Sequence, residues 1–458
     1  MKPWNVPKKI AISLCMIVRN EEACLDRCLK SAHEYVDEII IVDTGSTDKT
    51  IEIAAGYGGR IYRHPWENDF SKHRNQSLAY ATGDWILQLD ADEELSVEDA
   101  PQLASIVRDG KADYYHCPFH DIKKDGVVHG LFYLIRLFRN GMGMHYQRKV
   151  HNQLRTFGSG DYCPLRINHY GYDLSPEEME AKHIRTTTLL EEMLEADPED
   201  AYSLFQLASS YSMHREPEKA VAYGERALAI MRRKGLKNSF FLTAFNAVVQ
   251  GYHAMGKVEE AEKVCLEALD RFPMHLDMCH ILADLYFRNK DAGRYREMAQ
   301  RYLNIHEAME KDPSLIGGFY SHSFVRRNEI YFGLACIHFM ERDFKQADLL
   351  FVRSLEEGGK PMETAENVCR FYLQKEMDEK AMQWLIMACD AGNAQMHLPG
   401  SAATGNPGTL AYDVAEALCL RRQWRLAATA LELAVRIAPA LFDHGKFGHL
   451  LEHAEFTS

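Results

Sequence analysis

Residues 39–54 read IIIVDTGSTDKTIEIA, and this stretch joins a strand pattern to a helix pattern through a short turn. The β-branched run over 38–42 predicts a buried strand that ends at Asp43. Residues 44–48 combine turn-forming and N-cap side chains, and they predict a helix over 49–55. A strand followed at once by a helix is the building unit of an α/β fold.

The same alternation continues on both sides of this unit. The pattern predicts strands over 10–18, 60–63 and 85–89, and helices over 22–32 and 71–81. It therefore predicts a mostly parallel, Rossmann-like sheet with helices on both faces. From about 113 to 172, short strands, Gly-rich turns, aromatic residues and histidines replace it, and we assign this part to the same domain as a cover over the active site.

The composition of the 458 residues sets limits on the class of protein. Hydrophobic residues make up 46% and charged residues 26%, which is typical of globular proteins, and the net charge of −13 argues against broad binding to nucleic acid. No apolar run reaches the roughly 18–20 residues of a membrane helix, so we do not expect an integral membrane protein. The eleven cysteines contain no CxxC pair, which fits a reducing cytoplasm.

An internal repeat predicts a second, all-α domain. If Gly256 is taken as the turn residue, small and aromatic residues recur at fixed offsets from it: Val249, Tyr252, Ala261, Ala268 and Pro273. The same frame finds matches upstream and near the end of the chain, and its roughly 34-residue unit of two helices resembles the tetratricopeptide repeat. We predict domains over 1–174 and 175–458, with a loop near 391–409 where Gly, Pro, Ser and Ala interrupt the array. A superhelix of stacked helix pairs is the expected form of such a domain.

Polar and acidic side chains follow three of the predicted strands. Ligands of open α/β sheets bind beyond the carboxyl ends of the strands, which makes these positions candidate sites. Residues 19–22 read RNEE, Asp43 ends the second strand, and residues 90–94 read DADEE. An Asp-x-Asp at a strand end suits Mg²⁺ or Mn²⁺ with a diphosphate, and the open alternative is that DADEE caps the strand and begins an acidic helix. Neither GxGxxG nor GxxxxGK[ST] is present, so the sequence supports no dinucleotide fold or P-loop.

The order of these segments resembles a known family. The runs ISLCMIVRNEEACLDRCLKSA, VDEIIIVDTGSTDKTIEIA and FSKHRNQSLAYATGDWILQLDADEEL resemble the nucleotide-sugar-binding half of GT-A glycosyltransferases of the large inverting family 2 group. The resemblance covers about residues 10–100. With the C-terminal repeats, it implies a GT-A domain followed by a tetratricopeptide-like superhelix.

The resemblance assigns nucleotide-binding roles to the ends of the first two strands. Val18 and Asn20 would line the nucleotide pocket, and Asp43 would accept a hydrogen bond from the base or ribose. For Asp43 the alternative is an N-cap of the next helix, a role that Ser46 or Thr47 would fill equally well.

The resemblance also implies a donor and metal site around the Asp-x-Asp. Arg74 would reach the base or the diphosphate, Asp90 would contact the ribose or a metal-bound water, and Asp92 would bind the metal directly. The alternative for Arg74 is a surface helix arginine, because Lys72 and His73 beside it suggest a solvated face.

The part of the chain after residue 113 offers further candidates. In GT-A enzymes a histidine often completes the metal site, and His151 and His169 are the candidates for that role. Arg136 or Arg139 would stabilise the departing diphosphate, and a structural salt bridge is the alternative for either arginine.

The catalytic base stays open. Relatives often carry Val-His-Glu where this chain has Asn152 after His151, and an asparagine cannot take a proton. The acidic or basic residues left for this role are Glu93, Glu94, Asp121 and His151.

Together these features predict a metal-dependent inverting hexosyl- or N-acetylhexosaminyl-transferase that uses a UDP-sugar. UDP is favoured because it is common in the family. The repeats favour a peptide or protein acceptor, with a surface polysaccharide or lipid-linked glycan as an alternative, and homodimerisation as another use of the repeats. The rival from another class is a nucleotide-binding scaffold without transfer activity, which the missing glutamate at Asn152 supports.

Overall fold

The computed structural model describes residues 10–122, 126, 128–171, 175–316, 321–357, 361–396 and 407–438. Strands and helices alternate at its start, as predicted, with ends shifted by a few residues. The strands are β1 Ile12–Val18, β2 Glu38–Asp43, β3 Arg60–Arg63, β4 Trp85–Gln88, β5 Glu93–Leu95, β6 Tyr114–Ile122, β7 Val128–Arg139, β8 His145–Gln147, β9 Gln153–Arg155, β10 Gly160–Tyr162 and β11 Ile167–His169. The first helices are α1 Leu25–Ala32, α2 Thr50–Gly56, α3 Phe70–Tyr80 and α4 Leu103–Asp109.

The sheet has a parallel half and a mixed half. Strands β3-β2-β1-β4 are parallel neighbours in that order. Strand β7 then pairs antiparallel with β4, and the order continues through β6, β11 and β5, with β10 beside β6. Because the carboxyl ends of β1, β2 and β4 lie at one edge, the loops that follow them meet there.

Both faces of the sheet are buried, which explains why β1 and β2 are apolar without alternation. Leu14 and Met16 of β1 face the larger core, where Leu29 of α1 packs. Cys15 of β1 faces the opposite core with Phe138 of β7. Packing from both sides fixes β1 in place, so the loop that follows it starts from a rigid position.

The rest of the described chain is helical. The helices are α5 Pro176–Ala196, α6 Ala201–Met213, α7 Pro217–Lys234, α8 Phe240–Ala254, α9 Val258–Arg271, α10 Leu276–Arg288, α11 Ala292–Lys311, α12 Arg327–Met340, α13 Phe344–Glu356, α14 Pro361–Gln374, α15 Asp378–Met396, α16 Pro407–Leu420 and α17 Trp424–Ile437. Successive helices pack in pairs, such as α6 with α7, α8 with α9 and α14 with α15.

The predicted repeat frame agrees with these helix pairs. Gly256 lies in the turn between α8 and α9 and has φ +71°, a conformation that glycine adopts without a steric penalty. Ala261 and Ala268 of α9 are buried, which permits the close approach of neighbouring helices that the frame predicts. The prediction of an all-α, tetratricopeptide-like region after the α/β domain is confirmed.

The structure describes only part of the predicted loop and of the predicted domain boundary. Both ends of the loop predicted over 391–409 are helical, because α15 continues to Met396 and α16 begins at Pro407; residues 397–406 lie outside the described residues. The boundary at 174/175 stays a prediction, and residues 172–174 also lie outside the described part. The chain divides into two compact units: one contains nearly all of the sheet, α5–α9, the start of α10 and the end of α11, and the other contains the rest of α10 and α11 together with α12–α17.

All eleven cysteines are free thiols. Among the described residues, no helix combines the length and the apolar character that crossing a bilayer requires.

Candidate functional site

Asn20 ties the loop after β1 to the loop after β2. Its Oδ1 accepts a hydrogen bond from Thr47 N at 2.8 Å, and its own backbone N donates to Ser46 Oγ at 3.1 Å. Asn20 has φ +56°, a left-handed conformation that asparagine tolerates better than most residues. The structure therefore places Asn20 at the predicted edge, where it joins two of the candidate binding loops.

Asp43 is buried at the end of β2 and holds the turn that follows. Its Oδ1 accepts from Ser46 N at 2.9 Å, while Thr44 N and Oγ1 donate to the Val18 carbonyl at 3.0 and 3.2 Å. Asp43 is not the N-cap of α2, because Asp48 Oδ1 accepts from Thr50 N at the start of that helix. Within the described residues the second carboxylate oxygen of Asp43 accepts no hydrogen bond, which leaves it for a ligand.

Asp90 lies between two arginines at the end of β4. Arg74 Nη2 donates to both carboxylate oxygens of Asp90 at 2.7 Å, and Arg136 Nη2 lies 3.5 Å from Oδ2. Although desolvation opposes them, the two guanidinium groups hold the pKa of Asp90 well below its usual range. Asp90 is therefore a permanent anion that orients Arg74.

Arg74 has buried donors that the described residues leave unused. The residue is 8% exposed, so the predicted alternative of a solvated helix arginine is wrong. Its Nε and Nη1 are buried and have no hydrogen-bond partner in the part of the chain that the structure describes. Buried donors are nearly always paired in folded proteins, so these two indicate a ligand with acceptor oxygens.

Arg136 is fully engaged by acceptors of the chain itself. Nε and Nη2 pair with the Glu93 carboxylate at 3.1 and 2.5 Å, and Nη1 donates to Gln88 Oε1 at 3.0 Å. The other candidate, Arg139, pairs with Asp113 at 3.2 Å and lies over the Trp85 ring. Both arginines therefore form salt bridges within the chain, which is the alternative role that the sequence analysis gave for them.

The sheet register brings His169 to the Asp-x-Asp. His169 of β11 is paired with Glu93 of β5 on one side and with Asp121 of β6 on the other. Its Nε2 lies 3.5 Å from Asp92 Oδ2, and its Nδ1 lies 3.3 Å from Asp121 Oδ1. Despite desolvation, hydrogen bonds to these two carboxylates raise the pKa of His169 to about 9.

This arrangement fits a divalent metal. Asp92 supplies a carboxylate oxygen and His169 supplies the Nε2 of its imidazole. Asp121 contacts the other ring nitrogen and orients the ring, as carboxylates commonly do for histidines that bind metals. Gly171 closes the site: a Cβ built on it would lie 2.1 Å from Asp92 Oδ2 and 2.5 Å from His169 Nε2. Only glycine leaves the pair its present positions.

His151 lies on the segment that joins β8 to β9. It follows β8, has φ +46°, and its carbonyl accepts from Tyr202 Oη of α6 at 3.1 Å. Desolvation and the nearby charge of Lys182 lower its pKa to about 4. Within the described residues the structure brings His169, and not His151, into contact with Asp92.

Two charged residues near the site have no role assigned from the sequence. Desolvation, together with the charges of Asp92, Asp90 and Asp48, raises the pKa of Glu21 to about 7. Lys182 of α5 donates to the Gly171 carbonyl at 3.4 Å. Glu21 belongs to the RNEE segment that the strand-end argument had already selected, whereas no local pattern marks Lys182.

A second group of possible metal ligands lies on the helices and fits a metal poorly. His183, His214 and Glu216 place ligand atoms within 4.8 Å of one another. The two imidazole rings are stacked, with centroids 3.9 Å apart and planes 3° from parallel. A metal lies close to the plane of each imidazole that binds it, and two parallel stacked planes cannot share one ion.

Comparisons with known proteins find similarity to glycosyltransferases. Residues 13–170 match the family model described as Glycosyl transferase family 2. A TPR repeat-containing protein of Synechococcus elongatus is 38% identical over 202 residues, 42% of this chain and 50% of that protein. The SPbeta prophage-derived glycosyltransferase SunS of Bacillus subtilis is 29% identical over 223 residues, 47% of this chain and 53% of that protein. The chain thus spans about half the length of these two relatives.

Among solved structures, S. aureus TarS 1-349 in complex with UDP-GlcNAc aligns with 64% of this chain and 92% of its own, at 16% identity and a TM-score of 0.31.

Proposed function

We propose that the chain transfers a sugar from a UDP-sugar to an acceptor with inversion at the anomeric carbon, because residues 13–170 match the Glycosyl transferase family 2 model and paired helices follow them. The observation that carries the proposal is Arg74, whose two unpaired buried donors lie beside the Asp-x-Asp. A nucleoside diphosphate offers the acceptor oxygens that these donors lack.

Each site residue has a role in donor binding. The unused oxygen of Asp43 accepts from the base or ribose, Val18 and Asn20 hold the pocket loops together, and Arg74 donates to the base or diphosphate. Asp92 and His169 would hold Mn²⁺ or Mg²⁺, which when bound supplies positive charge for the leaving diphosphate. Asp90 and Arg136 act as positioning residues, since both are paired within the chain.

The geometry favours His151 as the base among the four candidates. Glu93 is paired with Arg136, Glu94 accepts from Tyr170 Oη at 2.8 Å, and Asp121 is bound to His169. The His151 ring has no hydrogen-bond partner among the described residues. With a pKa of about 4 it is neutral at physiological pH and able to accept a proton.

The acceptor class rests on the helical repeats. Paired helices present surfaces suited to an extended peptide or another protein, so we propose a peptide or protein acceptor. The alternative acceptors are a surface polysaccharide and a lipid-linked glycan. The alternative to an enzyme is a non-catalytic nucleotide-binding scaffold. Homodimerisation through the repeats stays a prediction.

Release of UDP from a panel of UDP-hexoses and UDP-N-acetylhexosamines tests the proposal. With Mn²⁺ present, the wild type should release UDP, EDTA should abolish release, and Asp92→Asn should lower it by about two orders of magnitude or more. Asp109→Asn, an exposed position at the end of α4, is the matched control and should behave as the wild type. Metal-dependent UDP binding without turnover on any protein, glycan or lipid-linked acceptor would favour the scaffold, and no binding of any sugar nucleotide would overturn the proposal.

A further inference from the structure

We propose that Lys182, on the first helix after the α/β domain, belongs to the donor site and binds the diphosphate of the nucleotide sugar. This inference rests on the proposed function and extends it, because it assigns a donor-binding residue to the helical part of the chain.

The start of α5 fixes where Lys182 lies. Ser175 and Glu178 form a capping box, in which each side chain accepts a hydrogen bond from the other residue's backbone N, at 3.2 and 2.8 Å. A capping box together with Pro176 in the first turn defines the first residue of the helix and hence the face that each later residue occupies. Lys182 lies two turns into this helix, on the side that meets the α/β domain.

The Lys182 ammonium contacts Gly171, the residue that packs against the candidate metal ligands. Its Nζ donates to the Gly171 carbonyl at 3.4 Å. The same Gly171 packs so closely against Asp92 and His169 that a Cβ would overlap both. The half-buried ammonium is therefore beside the position that a metal-bound diphosphate would occupy.

The charges around Lys182 support a role in anion binding. Desolvation lowers the pKa of Lys182, as does the charge of Arg185, whereas the carboxylates of Asp92, Asp121 and Asp90 raise it. The guanidinium of Arg136 is already occupied by Glu93, Gln88 and Asp90, so it is poorly placed to neutralise a ligand. A lysine ammonium is a compact charge with three donors, a form suited to phosphate oxygens.

A purely structural role would have a different signature. If Lys182 served only to hold α5 against Gly171, its loss would lower stability and weaken all nucleotide ligands alike. If it binds the diphosphate, its loss acts on ligands in proportion to their phosphate charge. The comparison of UDP, UMP and uridine separates these two cases.

The experiment measures binding of UDP, UMP and uridine to the full chain in the presence of Mn²⁺ by calorimetry. Lys182→Met should weaken UDP about 10-fold or more and change uridine less than twofold, with UMP between them, and Lys182→Arg should recover most of the UDP affinity. Lys219→Met is the matched control, because Lys219 is an exposed lysine of the helical part paired with Glu216 at 2.6 Å. Melting temperatures confirm that each variant is folded.

The outcomes distinguish the two proposals. A wild type that binds no UDP overturns the proposed function and this inference with it. A wild type that binds UDP normally while Lys182→Met binds UDP equally well, or loses UDP and uridine to the same extent, overturns only the role of Lys182.

Discussion

The pair of Arg136 and Glu93 is the most deeply buried charge pair of the site. Glu93 is 2% exposed, and Arg136 is its cation. Removal of one partner from a buried ion pair leaves an uncompensated charge and typically costs about 3–5 kcal/mol. We therefore expect Arg136→Met to lower the free energy of unfolding by about that amount, measured by urea denaturation at neutral pH.

Two variants serve as controls for this prediction. Arg136→Met combined with Glu93→Gln removes both charges and should recover part of the lost stability. Arg139→Met breaks a partly exposed pair with Asp113 and should cost about 1 kcal/mol or less. A single Arg136→Met variant as stable as the wild type would contradict the structural role assigned to this pair.

Glu21 gives the apo protein a predictable pH dependence. Its pKa is raised from an ordinary 4.5 to about 7, first by desolvation and then by neighbouring carboxylates. An acid with a raised pKa in the folded state binds its proton more tightly there, so its contribution to stability is present below pH 4.5 and is lost as pH rises to about 7. Relative to Glu21→Gln, the wild type should lose stability across this window and no further above it.

Thermal unfolding of both proteins from pH 4 to pH 8, without metal, tests this dependence. Glu34→Gln, at an exposed position after α1, is the control and should follow the wild type at every pH. A constant difference between wild type and Glu21→Gln over the whole range would show that Glu21 titrates normally.

Sequence reasoning located individual site residues unevenly. Asp43, Asp90 and Asp92 were found because the ends of parallel strands meet at one edge, a rule that needs no long-range information. The role of Arg136 was left open, because only the pairing of β7 with β4 decides that it faces Glu93. Between His151 and His169 the sequence did not choose, and the β11 register places His169 at Asp92.

At the scale of elements, the segment from Arg148 to His151 is held by the second helix of the repeat region. Arg148 pairs with both oxygens of Asp200 at 2.7 and 3.0 Å, and Asp200 is also the N-cap of α6. Asn is as good an N-cap as Asp, so Asp200→Asn removes the charge pair and keeps the cap. We expect it to cost about 1 kcal/mol and to lower turnover several-fold, because the segment that carries His151 loosens.

Urea unfolding and steady-state UDP release measure these two effects. Asp343→Asn is the matched control and should leave turnover unchanged, since Asp343 caps α13 through Gln346 N and, among the described residues, pairs with His338 rather than with an arginine. If Asp200→Asn turns over at the wild-type rate, the Arg148–Asp200 ion pair does not contribute to activity.

The sequence predicted the early elements well and left the structure after the fourth strand open. Local periodicity and turn chemistry located β1–β4 and α1–α3, because these are strongly patterned. The alternative that DADEE begins an acidic helix is wrong: Glu93–Leu95 is strand β5 and pairs antiparallel with Ile167–His169. A three-residue strand held by a partner far along the chain leaves no local pattern.

For the whole molecule, the two compact units predict a localised response to ligand. The site and α5 belong to the unit that contains the sheet, and α13–α17 belong to the other. A ligand at 100 times its Kd stabilises the folded state that binds it by about 2.7 kcal/mol. UDP with Mn²⁺ should therefore slow amide hydrogen exchange in peptides from β1, β2, β4 and α5, and leave peptides from α13–α17 unchanged.

Exchange measured with UDP and Mn²⁺ against Mn²⁺ alone provides the comparison, with uridine as the ligand control. Equal protection of α13–α17 would mean that the second unit responds to the nucleotide as well. At this scale the repeat frame predicted the helical region from small and aromatic residues at fixed offsets, whereas the division into units depends on packing that the frame does not encode.

The position of α5 has a consequence for protein engineering. A chimaera that exchanges repeat regions between relatives to change the acceptor would naturally be joined at the end of the α/β domain, before Pro176. Such a junction would discard Lys182 together with the capping box that sets its position. A junction after Met213 keeps α5 and α6 with the α/β domain, and with them Lys182 and the Asp200 that holds the His151 segment, and it exchanges only the array beyond them.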